Sequence, residues 1–351
     1  MILDVMEPCA SLGPDRPRRR AFLGGLAALG AGALFPGCAS VETGAAARRI
    51  DVHHHVAPPA YTAALKERMR GHAPWSVEKS LEDMDKSGIA TSVTSLINPD
   101  TWLGDVPFAR RLARIGNEYG ATLARDYPGR FGFFASLTLP DVEGSLREIE
   151  YAMDTLKADG IYLIVSYDGK YLGDPAFAPV LEELNRRKAV VYTHPLAPQC
   201  CGQLQTSVST ATIEFAVDTT RTMASLLFTG SAARYPDIRW IFSHSGGVTP
   251  FLLSRFTREA DTIKDGAQKM PRGILYELGK FYYDTAQGNH AGALSALLKV
   301  APVSQVLYGT DFPFRDGEEV NGGLGAYGFS AADLRAINRE NALRLMPRLK
   351  A

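Results

Sequence analysis

Disulfide-capable cysteine is nearly absent from this chain. Of four cysteines in 351 residues, Cys9 and Cys38 fall near the start and only the adjacent pair Cys200-Cys201 lies further on. That excludes a disulfide-stapled scaffold and lacks zinc-finger spacing, so stability must come from an apolar core. Net charge is absent too. Thirty-eight basic residues balance 38 acidic ones and are scattered, which excludes the concentrated basic surface that nucleic-acid binding requires. There is no internal repeat and no long low-complexity tract, and 46% hydrophobic with 22% charged residues is the make-up of a soluble globular protein. No Gly-x-Gly-x-x-Gly follows the first candidate strand, which argues against a dinucleotide fold. Histidine is scarce as well, with seven in the chain, so where those seven fall carries information.

The first forty residues read as an address label. Arg18, Arg19 and Arg20 precede Ala21-Phe22-Leu23, and a Gly/Ala-rich apolar run continues to Leu34 before Pro36-Gly37-Cys38. The run is too short to span a bilayer stably, and its Arg-Arg-x-Phe-Leu order resembles a twin-arginine export signal. The expectation is an export signal and linker over residues 1–44, a periplasmic destination, and a lipid anchor at Cys38 as an alternative.

From residue 49 short β-branched runs alternate with longer amphipathic stretches. Candidate strands are Ile50 to His53, Thr91 to Leu96, Phe131 to Ser136, Gly160 to Val165, Ala189 to Thr193, Ile238 to Ser243, Phe281 to Thr285 and Val306 to Tyr308. Between them lie helical periodicities, such as Leu146, Ile149, Met153 and Leu156, or Val180, Leu181 and Leu184. Eight apolar strands with βα alternation predict an α/β protein, a single (β/α)8 TIM barrel over residues 45–351, with its chemistry at the C-terminal ends of the strands.

With His54 set aside, four of the seven histidines, His53, His55, His194 and His244, fall at three of those ends. The first strand closes Asp51-Val52-His53-His54-His55, the fifth Thr193-His194-Pro195, the sixth Ser243-His244-Ser245-Gly246-Gly247, and the eighth Gly309-Thr310-Asp311-Phe312-Pro313. Strand alternation points His53 and His55 to one side and His54 away. Three imidazoles and a carboxylate suit one divalent ion, zinc first. His244 beside it is a natural general acid or base, because imidazole titrates near neutral pH.

Together with Leu172-Gly173-Asp174-Pro175 and Asn341-Ala342-Leu343-Arg344-Leu345, these motifs resemble the amidohydrolase superfamily. More narrowly the chain is similar to metal-dependent decarboxylases of the aminocarboxymuconate-semialdehyde, γ-resorcylate and 6-methylsalicylate type, over about residues 49 to 347. The resemblance implies one ion, zinc or manganese, held by His53, His55, His194 and Asp311, with His244 catalytic. It implies a homodimer in which Arg255 reaches a substrate carboxylate across the interface, with Arg221 a second candidate. An arginine expected before Trp75 is missing from Arg70-Gly71-His72-Ala73-Pro74-Trp75, which favours an aromatic monocarboxylate over a dicarboxylate. Trp75, Trp102 and Phe215 are expected to line its pocket. The reaction implied is loss of carbon dioxide from a small acid such as a 2-hydroxybenzoate, with His244 and Asp311 both placed to handle the proton. Hydrolysis of a lactone, amide or ester on the same barrel is the alternative.

Overall fold

A computed structural model describes residues 48–68, 74–203 and 207–350; the expected signal, Cys38 and His72 lie outside them. Eight parallel strands run in sequence order around one sheet: β1 Arg49–Val56, β2 Ile89–Leu96, β3 Phe131–Ser136, β4 Gly160–Ile164, β5 Val190–His194, β6 Arg239–Phe242, β7 Tyr282–Asp284 and β8 Val306–Leu307. A principal helix follows each: α1 Val77–Ser87, α2 Val106–Asp126, α3 Val142–Glu150, α4 Ala178–Arg186, α5 Thr210–Phe228, α6 Leu253–Thr262, α7 Ala291–Leu297 and α8 Gly317–Tyr327. The first and last strands close the ring. Val52 donates its backbone N–H to Tyr308 at 3.0 Å, His55 to Phe312 at 2.7 Å, and Asp311 to His53 at 2.8 Å. All eight strands read from the sequence are present, because each is an apolar run buried on both faces.

The barrel interior is filled by Ile50, Val93, Phe134, Tyr162, Tyr192 and Ile241, and the C-terminal residues Leu345, Met346 and Leu349 pack against that layer. The larger core lies between sheet and helices. There Leu112, Ala113 and Leu123 of α2 are buried at helical spacing, and Asp105 caps that helix by accepting from Phe108 N. One helix differs from its periodicity. The apolar pattern from Leu146 to Leu156 predicts a continuous α-helix, but α3 stops at Glu150 and a single π turn carries the chain to Thr155.

β1 contains the irregularity on which the site depends. Asp51 pairs with Ser92 and His54 with Thr94, so three steps along β1 oppose two along β2. This extra residue reverses the inward parity of the strand. Ile50 and Val52 pack in the barrel interior, and beyond the bulge His53 and His55, rather than His54, converge with His194. His54 is instead held by Asp51 at 3.1 Å and Ser80 at 2.9 Å and stacks on Phe312 with ring centroids 4.6 Å apart.

The loop after β2 supports the same rim. Asp100 is fully buried, accepts from the Ser136 hydroxyl at 2.6 Å through Oδ1, and leaves Oδ2 without a partner. Burial pushes its carboxyl up to about 7, against hydrogen bonds from Ser136 and Thr101 that favour the charged form. The folded chain therefore keeps a proton that the unfolded chain has lost above about pH 4, and stability falls as pH rises between those values. Asp100→Asn is expected to stabilise the protein at pH 8, by up to about 4 kcal/mol for a shift of this size, and to give no gain near pH 4. Denaturation curves at both pH values test this, and an equal offset at the two would overturn it.

Candidate metal centre and its pocket

His53 and His55 from β1, His194 from the end of β5 and Asp311 from the turn after β8 are buried together, with one ligand-type atom from each within 4.8 Å of the others. The Nε2 atoms of His53 and His55 lie 3.1 Å apart. Asp311 Oδ1 stands 3.1 Å from the first and 3.3 Å from the second. Each imidazole is held from outside by its other nitrogen. His53 Nδ1 donates to Asp284 Oδ2 at 2.8 Å, His55 Nδ1 to the Leu96 carbonyl at 3.3 Å, and His194 Nδ1 to the Pro195 carbonyl at 2.9 Å. Carbonyl and carboxylate oxygens only accept, so each Nδ1 carries a proton, and the Nε2 of a neutral ring turns a lone pair inward.

That convergence is repulsive on its own. With every ring neutral, imidazole lone pairs and a carboxylate oxygen face one another in a dry site, and Asp311 Oδ1 has no hydrogen-bond partner. A divalent cation resolves this, so the four residues fit a metal ion, and their outer acceptors are of the kind that orient histidine ligands. The electrostatics agree. Burial, then His55, His53 and His244, hold His194 well below the usual histidine range, and burial likewise lowers His55. Burial opposes ionisation of Asp311, but His53, His244 and His55 outweigh it and hold the carboxyl well below the usual range. At His53 burial is outweighed by Asp284 and Asp311, which push it up to about 10. The metal-free centre keeps one proton where positive charge is wanted.

His244 lies just beyond β6, its side chain 8% exposed and its Nε2 3.5 Å from Asp311 Oδ2, with neither ring nitrogen hydrogen-bonded. The turn that presents it is costly. His244 and Ser245 have φ of 53° and 55°, a region L-residues seldom occupy, at about 1–3 kcal/mol each. Two glycines are required nearby. A Cβ on Gly247, φ 63°, would come within 2.0 Å of the Ala216 carbonyl oxygen, and one on Gly309 within 2.9 Å of both Asp284 Cβ and His53 Cβ.

Sequence reading missed two carboxylates. Asp284 closes β7 and is fully buried; besides His53 it accepts from His244 N at 2.9 Å, Ala286 N at 3.1 Å and the Tyr192 hydroxyl at 3.4 Å. Asp51 accepts from His53 N and Thr310 N, each at 3.0 Å, and from the Thr310 hydroxyl at 2.7 Å. An aspartate at the end of a barrel strand was the available signal for Asp284. Nothing in the sequence shows the bulge that Asp51 pins.

A cavity of about 450 Å³ opens from His244, with Phe215, Val248, Phe251, Ala293, Gln287 and His290 among its walls and no arginine or lysine among the lining residues. Phe215 and His290 thus lie where a substrate contact would. The other expected contacts do not line this cavity. Trp75 donates to the Ser80 hydroxyl at 2.9 Å and packs on Tyr119, and Trp102 donates to Asp168 at 2.7 Å. Arg221 lies 3.7 Å from Asp218 and 3.9 Å from Glu214, and Arg255 is exposed on α6. Cys200 is exposed and Cys201 buried, its thiol 3.1 Å from Glu214.

A family model described as amidohydrolase matches residues 50–348. The chain belongs to the amidohydrolase family. Decarboxylase macB of Penicillium terrestre is 36% identical to it over 326 residues, covering 86% of this chain and 96% of the relative. 6-Methylsalicylic acid decarboxylase of Penicillium expansum is 34% identical over 315 residues, covering 86% and 97%. The crystal structure of a dihydroxybenzoic acid decarboxylase from Polaromonas sp. JS666, with bound manganese and 2-nitroresorcinol, superposes with a TM-score of 0.75 at 22% identity, covering 86% of this chain and 98% of that one. Within the amidohydrolase family, the chain is a member of the metal-dependent decarboxylase branch.

The relatives also correct one expectation. Both Penicillium proteins are fungal, and the family match begins only at residue 50. A bacterial twin-arginine signal and a periplasmic location therefore find no support in this kinship, and that reading of the N-terminus is withdrawn.

Asp284 offers a direct test of how the centre is supported. Asp284→Asn keeps the shape of the His53 partner and removes its charge, so divalent-metal affinity should fall about 10- to 100-fold with the fold intact. Chelator competition monitored beside circular dichroism measures this, and unchanged affinity would refute the supporting role.

Proposed function

We propose that this metal-dependent decarboxylase removes the carboxylate of a 2-hydroxybenzoate-type monocarboxylic acid, 6-methylsalicylate being the model substrate. The observation that carries the substrate class is the pocket. It is walled by Phe215, Val248 and Phe251 and offers no lysine or arginine among its lining residues, so a second carboxylate would find no permanent cation there. A carboxylate with an adjacent phenolic oxygen would find its positive partner only at the centre, and the ring would fill the apolar space. The fungal relative named for 6-methylsalicylic acid supports the same class.

On this reading His53, His55, His194 and Asp311 hold one divalent ion. Zinc suits three imidazoles and a carboxylate, and manganese, present in the Polaromonas enzyme, is the alternative. Such an ion, when bound, supplies a template and Lewis acid for the substrate oxygens. The protein's own contribution is a proton. His244 faces the pocket with its ring nitrogens free of hydrogen bonds, and a proton carried on that ring can be delivered to the ring carbon bearing the carboxylate. The bond to the carboxylate carbon then breaks, carbon dioxide leaves, and the electron pair restores the aromatic ring. Asp311 is held ionised by its neighbours, which makes His244 the better donor. Arg255 is exposed on α6 outside this pocket, so its expected role, reaching that same single carboxylate, requires a second copy of the chain, and a homodimer is part of the proposal.

His244→Ala should lower kcat about 10²- to 10⁴-fold, the usual range for losing a general acid, while metal content stays at that of the parent. Parallel assays of carbon dioxide release from hydroxybenzoates and acid release from lactones decide the reaction, and turnover of lactones alone would sink it. Metal binding carries a second test. His53 is protonated in the metal-free protein near pH 7 whereas His55 and His194 are lowered and already neutral, so binding displaces one proton. Apparent affinity should fall about tenfold for each unit of decreasing pH between 8 and 6. A pH-independent affinity in chelator competition would refute this proton count.

A further inference from the structure

Gln287 follows β7 by three residues and has a backbone φ of 51°, a conformation that favours glycine and is strained for a long side chain. Its neighbour Gly288 closes the turn by donating to the Thr285 carbonyl at 3.1 Å, and a Cβ on Gly288 would come within 2.1 Å of the Ser245 hydroxyl. The turn therefore lies against the segment that carries His244. From it the Gln287 side chain reaches across the mouth of the centre and its amide nitrogen donates to Asp311 Oδ2. A carboxylate only accepts, so chemistry fixes which end of the amide faces Asp311.

This contact divides Asp311. Oδ1 points at His53 and His55 and has no hydrogen-bond partner, whereas Oδ2 is taken by Gln287. His244 approaches the same Oδ2, yet its Nε2 stands 3.5 Å away, within ion-pair range but beyond a charge-assisted hydrogen bond of about 2.7–2.9 Å, and neither ring nitrogen has a hydrogen-bond partner. We propose that Gln287 is a positioning residue: by engaging the outer oxygen of Asp311 with a neutral donor it keeps His244 from closing to a direct hydrogen bond with Asp311 and leaves that imidazole available to the substrate. A neutral amide suits the task. A lysine would compete with the metal for the charge of Asp311, and a glutamate would repel the carboxylate. The value of a free His244 rests on the decarboxylase reading above, but the separation of His244 from Asp311 does not.

The test uses Gln287→Met, which keeps the length of the side chain and removes its donor, with Gln287→Ala as a second variant. In the crystal structure of the metal-loaded Gln287→Met protein, His244 Nε2 should close on Asp311 Oδ2 to about 2.9 Å. A separation still at 3.5 Å or longer in both variants overturns the proposal whatever the substrate proves to be. With a hydroxybenzoate that the parent decarboxylates, Gln287→Met should lower kcat about tenfold and leave KM within about twofold. In a His244→Ala background the same change should cost less than about twofold, because its effect runs through that histidine. Equal losses in the two backgrounds would show that Gln287 acts independently of His244. Chelator competition on the same variants should find metal affinity within about threefold of the parent, and a loss of 100-fold would make Gln287 a support of the metal rather than of His244. A parent protein inert toward every hydroxybenzoate defeats the functional reading while the His244 to Asp311 distance still decides this one.

Discussion

One extra residue in the first strand governs the rest of the centre. Without the bulge between Asp51 and His54, the inward parity of Ile50 and Val52 would continue to His54, and the pair His53 and His55 would face the helices. Asp51 makes the irregularity tolerable. It caps the bulged backbone at His53 N, fastens Thr310 by two hydrogen bonds and engages the ring of His54. The same carboxylate thereby ties β1 to the segment that carries Asp311, so the two strands that close the barrel also bring the ligand residues into register.

Charge placement follows from that closure. Asp284 and Asp311 flank His53 from two sides, and burial removes the water that would otherwise screen them. A dry pocket with two carboxylates against one imidazole has a standing demand for positive charge, met by a proton on His53 or by a cation at its Nε2. The outer acceptors, the Asp284 carboxylate and the Leu96 and Pro195 carbonyls, orient the rings beforehand, so a cation that displaces the second proton of His53 would meet Nε2 lone pairs already aimed. Asp284 has a second effect. By accepting from His244 N it links the orientation of a ligand imidazole to the strained turn that presents the neighbouring histidine.

Most of the barrel and the four converging side chains were legible in the sequence, for a physical reason. Parallel strands buried on both faces leave uninterrupted apolar runs, and a histidine or aspartate directly after such a run stands out at the rim where barrel chemistry gathers. What stayed hidden depends on relations between strands. The bulge at Asp51 is a matter of register with β2, and the roles of Asp284 and Gln287 arise because the end of β7 lies beside those of β6 and β8. Trp75 and Trp102 illustrate the converse. Size and aromaticity made them pocket candidates, but they do not line the cavity beside His244 and their indole N–H groups are engaged by Ser80 and Asp168. The N-terminal arginines and apolar run matched a short local pattern alone, with no second feature elsewhere in the chain to support it.

The pocket and the centre divide recognition between charge and shape. Polar walls that could bind a carboxylate anywhere would let a small acid settle in several poses, few of them productive. Here the cavity walls are aromatic, aliphatic or neutral polar near His244, and the demand for charge lies at one buried point beyond it. On the proposed function the carboxylate enters first because no lysine or arginine lines the pocket to hold it short of the centre, and the carbon that bears it then lies on the side of His244. Orientation is thus set by where the protein withholds charge as much as by where it supplies it. A substrate with a second carboxylate would lose that advantage, since no lysine or arginine of the pocket lining would pair its second anion. Selectivity for a monocarboxylate and correct presentation of the scissile bond then have one physical origin.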